Sequence, residues 1–153
     1  MTKALAILFF LVAAPLVSEG AWRPDTKLLD GVCHIESSGG LSVYGDGGRS
    51  LGHFQFQKAA WSDVSDWRRK RNQTTYDYRQ SVFNPRISRL YAADYLTILH
   101  GRLKQQYKRA PSTAEIYAAY NMGMTSFRKC NYSLARVNKT TEARCKLLVA
   151  LTN

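Results

Sequence analysis

The sequence predicts a mainly α fold of the α+β class, a helical domain carrying one small β-hairpin. Helix starts are marked at Asp25, Asn84 and Ser112, each followed by apolar residues at steps of three and four. A single glycine-rich turn, Gly45-Asp46-Gly47-Gly48, separates two short β-like stretches. No internal repeat or linker interrupts the 153 residues, which leaves room for one domain. An apolar content of 45% and nine tyrosines provide for a real core and exclude a disordered chain.

In chain order, Asp25 is the expected N-cap of a first helix carrying Leu28, Leu29, Val32, Cys33 and Ile35. Glu36 follows Leu28 and Val32 at steps of four, so it lies on the apolar stripe of that helix. Ser38-Gly39-Gly40 ends it. A strand around Leu41 to Tyr44 and a return through Arg49-Ser50-Leu51 form the hairpin. Gly52-His53-Phe54-Gln55-Phe56 leads into a helix expected to run to about Arg71, with Ala59, Ala60, Val64 and Trp67 inside. Asn84-Pro85 pairs a cap with proline at the first helical position and opens a long helix through Ile87, Tyr91, Tyr95, Ile98 and Arg102. Ser112-Thr113-Ala114-Glu115 is a capping box for a helix ending at Gly123, the expected C′ residue. A closing helix carries Ala143, Leu147, Leu148 and Leu151.

Residues 1–20 read differently. Lys3 gives a positive start, and Ala4 to Val17 is an apolar run broken only by Pro15. Ser18 and Gly20 then stand at −3 and −1 of a cut after Gly20, the pattern of a secretory signal peptide. The run is short against the roughly 20 residues of a membrane span, so stable membrane insertion is not expected. The expected location is secreted or periplasmic, with 21–153 as the mature domain. Cleavage removes Lys3 and Glu19, one charge of each sign, and the net charge stays +11. Such a protein favours polyanionic partners; export sets nucleic acid aside and leaves anionic lipid or anionic wall polymers.

An oxidising compartment permits a disulfide. Cys130 and Cys145 would close a loop of about fifteen residues, worth about 3 kcal/mol in the chain-entropy model. Cys33 is expected as a buried small hydrophobe. His34, His53 and His100 are scattered and no Cys/His spacing suits zinc, so no metal site and no cofactor are expected. A monomer is expected.

Three segments carry chemistry: Glu36-Ser37, then Gly52-x-Phe-Gln-Phe, then Ala119-Tyr120-Asn121-Met122-Gly123. In this order and spacing they resemble the lytic transglycosylase branch of the lysozyme superfamily, from about Leu28 to Gly123. Trp61 and Asp63 after the Gly-x-Phe-Gln segment add a similarity to invertebrate-type lysozymes, whose helix also ends in Glu-Ser. The resemblance implies a lysozyme-like fold and cleavage of the β-1,4 bond between N-acetylmuramic acid and N-acetylglucosamine in peptidoglycan glycan strands. It implies Glu36 as the proton-transferring carboxylate and Ser37, Gly52, Gln55, Tyr120 and Asn121 as groove residues. His53 and Phe54 depart from the branch's Leu-Met and imply a bulkier groove floor; Met122 stands where a small residue is usual.

A carboxyl in Glu36's place suits that chemistry on physical grounds as well. Breaking a glycosidic bond needs a proton delivered to a weakly basic bridging oxygen. An ordinary carboxyl is ionised at neutral pH, so the site must raise its pKa by desolvation. An apolar stripe at a helix C-terminus disfavours the negative charge twice, through burial and through the dipole.

Asp46 has two readings. Asp-Gly is a favoured hairpin dipeptide and explains it without function. In invertebrate-type lysozymes an aspartate at about this separation is the second catalytic acid. In lytic transglycosylases one glutamate suffices, closing a 1,6-anhydro ring without water. The Tyr-Asn-x-Gly segment favours that branch over a hydrolase. A glycan-binding protein without activity is the alternative of another class, against which the joint presence of Glu36, Gln55, Tyr120 and Asn121 argues. Trp61 and Trp67 are expected in the core and at its edge, and Arg68-Arg69-Lys70-Arg71 on a solvated helix end.

Overall fold

The computed structural model describes residues 22–153; the expected signal peptide lies outside the described residues. The order of elements is α1 (Thr26–Ser37), β1 (Tyr44–Gly45), β2 (Ser50–Leu51), α2 (Lys58–Arg69), α3 (Tyr78–Ser81), α4 (Pro85–Tyr107), α5 (Thr113–Met122), α6 (Met124–Lys129) and α7 (Lys139–Thr152). The fold is mainly helical with one two-stranded antiparallel sheet, Tyr44 opposite Leu51 and Gly45 opposite Ser50. Among the described residues no helix is long and apolar enough to cross a membrane.

The caps act as the sequence predicts. Asp25 accepts from the Leu28 amide, Asn84 from Arg86 and Ile87, and Ser112 exchanges hydrogen bonds with Glu115 in both directions. α2 stops two residues short of Arg71, and α4 continues one turn past Arg102. Two short helices, α3 and α6, were not foreseen; each is too brief to show a periodicity.

α5 is the centre of the molecule. Ile116, Tyr117, Ala118 and Ala119 are buried, and the helix packs against α4, α6 and α7. Alanine at 118 and 119 lets the neighbouring helices approach closely. α1 lies against α7, with Gly31 facing Leu148, and its apolar residues Leu28, Leu29 and Val32 are buried. Trp61 is a core residue: its ring stacks on Tyr91 with centroids 3.8 Å apart, and its indole N–H donates to Tyr76 O. Trp67 lies at the edge beneath Arg23 and Arg71.

Two expectations are corrected. Cys130 and Cys145 are not bridged; all three cysteines are free thiols. Cys145 faces inward from α7, where its thiol donates to Ala114 O on α5 at 3.4 Å, while Cys130 caps α6. Arg68 is not on a solvated face. It is buried against Asp94 of α4, with its Nε donating to Thr74 O at 2.6 Å.

Candidate active site

Glu36 occupies the last turn of α1, where the chain must turn sharply toward the hairpin. Ser38 supplies the left-handed cap at φ 54°, with its amide returning to His34 O and the Gly39 amide to Cys33 O. The apolar face of α1 carries the Glu36 side chain inward, leaving it only 7% exposed. It stands in a cleft of about 810 Å³ walled by the hairpin, α2, α4 and the facing ends of α5, α6 and α7.

The two oxygens of Glu36 have different surroundings. Oε1 accepts from the Tyr117 hydroxyl at 2.6 Å and from Asn121 Nδ2 at 3.4 Å. Thr141 of α7 donates to Asn121 Oδ1 at 2.9 Å, which fixes that amide with its nitrogen toward the carboxyl. Oε2 faces the Arg144 guanidinium at 3.6 Å, too far for a good hydrogen bond. Burial dominates the electrostatics and raises the Glu36 pKa above the ordinary carboxyl value. The Tyr117 hydrogen bond, the Arg144 charge and the Asn121 amide pull it back in part, and the Asp46 charge pushes it further up. Burial and the neighbouring carboxylate raise the Tyr117 phenol far above its usual range, so it remains a donor.

Asp46 lines the same cleft from the hairpin turn, at φ 50°, with its Oδ2 held by the Ser50 hydroxyl at 2.6 Å. Gln55 lines it too, but its amide nitrogen is engaged with Ser42 O at 3.1 Å and Gly52 O at 2.9 Å, tying the hairpin down. A Cβ at Gly45 would stand 2.1 Å from Gln55 Oε1 and would push that amide from its present place. Tyr120 also borders the cleft; its hydroxyl donates to Phe54 O at 2.7 Å, and burial holds its pKa well above the usual value.

Two of the expected groove residues lie behind the cleft instead. Ser37 is buried, and its hydroxyl donates to His53 O at 2.6 Å and accepts from the Gly40 amide, pinning α1 to the segment after the hairpin. Gly52 is buried at φ +76° against Val82, where a Cβ would meet the carbonyl oxygen at 2.1 Å. Phe54 points into the core and His53 against Gly40, so neither builds the bulky floor expected of them. Met122 does border the cleft.

Tyr117, Thr141 and Arg144 were missed. Tyr117 had a local signal: it precedes Asn121 by four residues and so shares its helix face. Thr141 and Arg144 had none, because α7 reaches Glu36 only through the tertiary fold.

No curated protein matches the chain. The family model of the transglycosylase SLT domain matches residues 17–142, most of the chain and all three motif segments. With a mainly helical fold, a hairpin after the first helix and a buried carboxyl in a cleft, the chain belongs to the transglycosylase SLT domain family and is a lytic transglycosylase acting on peptidoglycan.

Proposed function

We propose that Glu36 serves first as acid and then as base in cleavage of the β-1,4 bond between N-acetylmuramic acid and N-acetylglucosamine. The observation that carries this reading is the asymmetry of the carboxyl of Glu36, which lines the cleft: Oε1 is held by Tyr117 and Asn121, while Oε2 has no hydrogen bond among the described residues and lies 3.6 Å from Arg144. The proton resides on Oε2. It passes to the bridging oxygen as the C1–O bond breaks and charge develops on the sugar ring. The carboxylate left behind takes the proton of the sugar's own 6-hydroxyl as that oxygen bonds to C1. The muramyl product is a 1,6-anhydro sugar, and no water is consumed.

Asp46 supports a second reading. It borders the same cleft and its charge acts on Glu36, so hydrolysis with Asp46 assisting is the competing chemistry. Mass spectrometry of fragments released from purified cell wall separates the two. Anhydro-muramyl ends are expected; reducing ends that have gained water would overturn the transglycosylase reading. Glu36→Gln keeps the shape and removes the proton, and should slow release at least about a hundredfold. Release at the wild-type rate would remove Glu36 from the mechanism.

Export with cleavage after Gly20 is part of the proposal, because the substrate lies outside the cytoplasm. The mass of the mature N-terminus tests it. The +11 charge supports an added, salt-sensitive attraction to anionic wall polymers.

A further inference from the structure

The charged groups that face Glu36 are Asp46 from the hairpin and Arg144 from α7, with the phenols of Tyr117 and Tyr120 from α5. Arg144 is the one whose presence runs against a proton donor. A cation at 3.6 Å from the oxygen that must carry the proton favours the ionised carboxyl. Yet its guanidinium is not committed to Glu36: the contact is too long for a hydrogen bond, the side chain is 39% exposed, and it forms part of the cleft wall. Among the described residues Arg144 makes no hydrogen bond. The other cleft arginine, Arg102, is paired with Asp63 at 3.4 Å. Next to Arg144 the cleft wall is the first turn of α7, Asn138, Thr140 and Thr141, whose amide end adds positive potential on the same side. On this side of the cleft the guanidinium has, among the described residues, Glu36 as its nearest acid, at 3.6 Å, and no hydrogen-bonded anion, while Glu142 of the same turn is paired with Lys146 at 2.6 Å.

We propose that Arg144 is a specificity-determining residue that receives a carboxylate of the substrate's muramyl branch. This rests on the reading of the site as a glycan-cleaving one. N-acetylglucosamine is neutral, whereas N-acetylmuramic acid carries a lactyl ether that ends in a carboxylate on bare glycan and in a peptide stem, with carboxylates of its own, on intact wall. A guanidinium matches a carboxylate in a planar, two-point hydrogen bond. A carboxylate seated on Arg144 would partly neutralise it, leaving the burial of Glu36 less opposed, so substrate with the correct charge would favour the protonated acid it needs.

The test uses the mature chain, the Arg144→Gln and Arg144→Lys variants, and saccharide pairs differing in one charge. One pair is a bare muramyl oligosaccharide and its lactyl amide; the other is a stem-bearing muramyl oligosaccharide and its fully amidated form. Binding is read by calorimetry and turnover by fragment analysis. We expect the wild type to bind the charged member of at least one pair about tenfold more tightly; the pair that shows it identifies the carboxylate. Arg144→Gln should abolish the difference by weakening the charged member about tenfold more than the neutral one, and Arg144→Lys should restore part of it. Equal affinity of wild type for both members of both pairs overturns the proposal. So does an Arg144→Gln variant that keeps the discrimination, or that weakens charged and neutral ligands alike. A wild type that cuts cell wall but fails these tests leaves the proposed function standing; one that neither cuts nor binds ends both.

Discussion

Tyr117 and Glu36 lie 81 residues apart and meet at 2.6 Å, and that hydrogen bond aims the carboxyl and partly offsets the rise in its pKa that burial causes. Donation from the phenol favours the ionised form, so its removal lets burial raise the Glu36 pKa further. Tyr117→Phe keeps the buried ring. It should lower kcat by about three- to tenfold through loss of orientation and move the alkaline limb of the pH–rate profile upward, because the acid must be protonated to act. A limb that stays in place or moves down would show that Tyr117 does not act on Glu36. The raised pKa also predicts a stability effect. The folded state disfavours the ionised carboxyl, so the favourable part of this linkage is present below the unfolded carboxyl pKa and is lost as pH rises through the folded value. Glu36→Gln has no such loss. Its Tm advantage over wild type should therefore grow from mildly acidic to neutral pH, as measured by thermal melts across that range. At this scale Glu36 was legible in the sequence because a charge on an apolar stripe is an anomaly. Arg144 was not, because its relation to Glu36 exists only once α7 has docked.

The elements were legible wherever a cap or a long periodicity marked them. Asp25, Asn84 and Ser112 start helices as their side chains dictate. The junctions on either side of the hairpin were harder to read, because Ser37 at the end of α1 and Gly52 after β2 look like groove residues while their work is to join elements. Ser37 pins the end of α1 to His53 O, and Gly52 lets the chain pass directly against the Val82 carbonyl below α3. That approach fixes the hairpin on which Asp46 stands and the following segment that carries Gln55. Gly52→Ala places a methyl group 2.1 Å from the Val82 oxygen at a φ of +76°. It should destabilise the fold by about 2–4 kcal/mol, read from urea unfolding, and lower activity through displacement of the hairpin. A loss below about 0.5 kcal/mol would mean that this junction yields freely. The expected bridge between Cys130 and Cys145 failed for a related reason: sequence separation gives the size of a loop but not the side of α7 on which a thiol faces.

On the scale of the whole molecule, the back of the cleft wall is organised around one buried acid. Asp94, 2% exposed in the middle of α4, takes Arg68 from α2 on one oxygen and Arg23 from the segment before α1 on the other, the latter at 2.6 Å. Trp22 stacks on His100 with centroids 4.4 Å apart, and Arg23 lies over Trp67, so the chain entering α1 is bound to both α2 and α4. The basic run from Arg68 to Arg71 read as a solvated helix end because its acidic partner lies 26 residues away. The two arginines differ in exposure, 8% for the Arg68 side chain and 49% for Arg23, and that difference fixes what each contact is worth. Arg23 is screened by solvent, and Arg23→Gln should cost less than about 1 kcal/mol, falling toward zero in high salt. Asp94→Asn strands a guanidinium in a site closed to water and should cost about 3–5 kcal/mol with little response to salt. Urea unfolding of both variants at low and high salt makes the comparison, and unchanged m-values would assign the losses to the native state. Equal costs for the two substitutions would mean that Arg68 finds water when Asp94 is neutralised, and that the cleft wall does not depend on this buried pair.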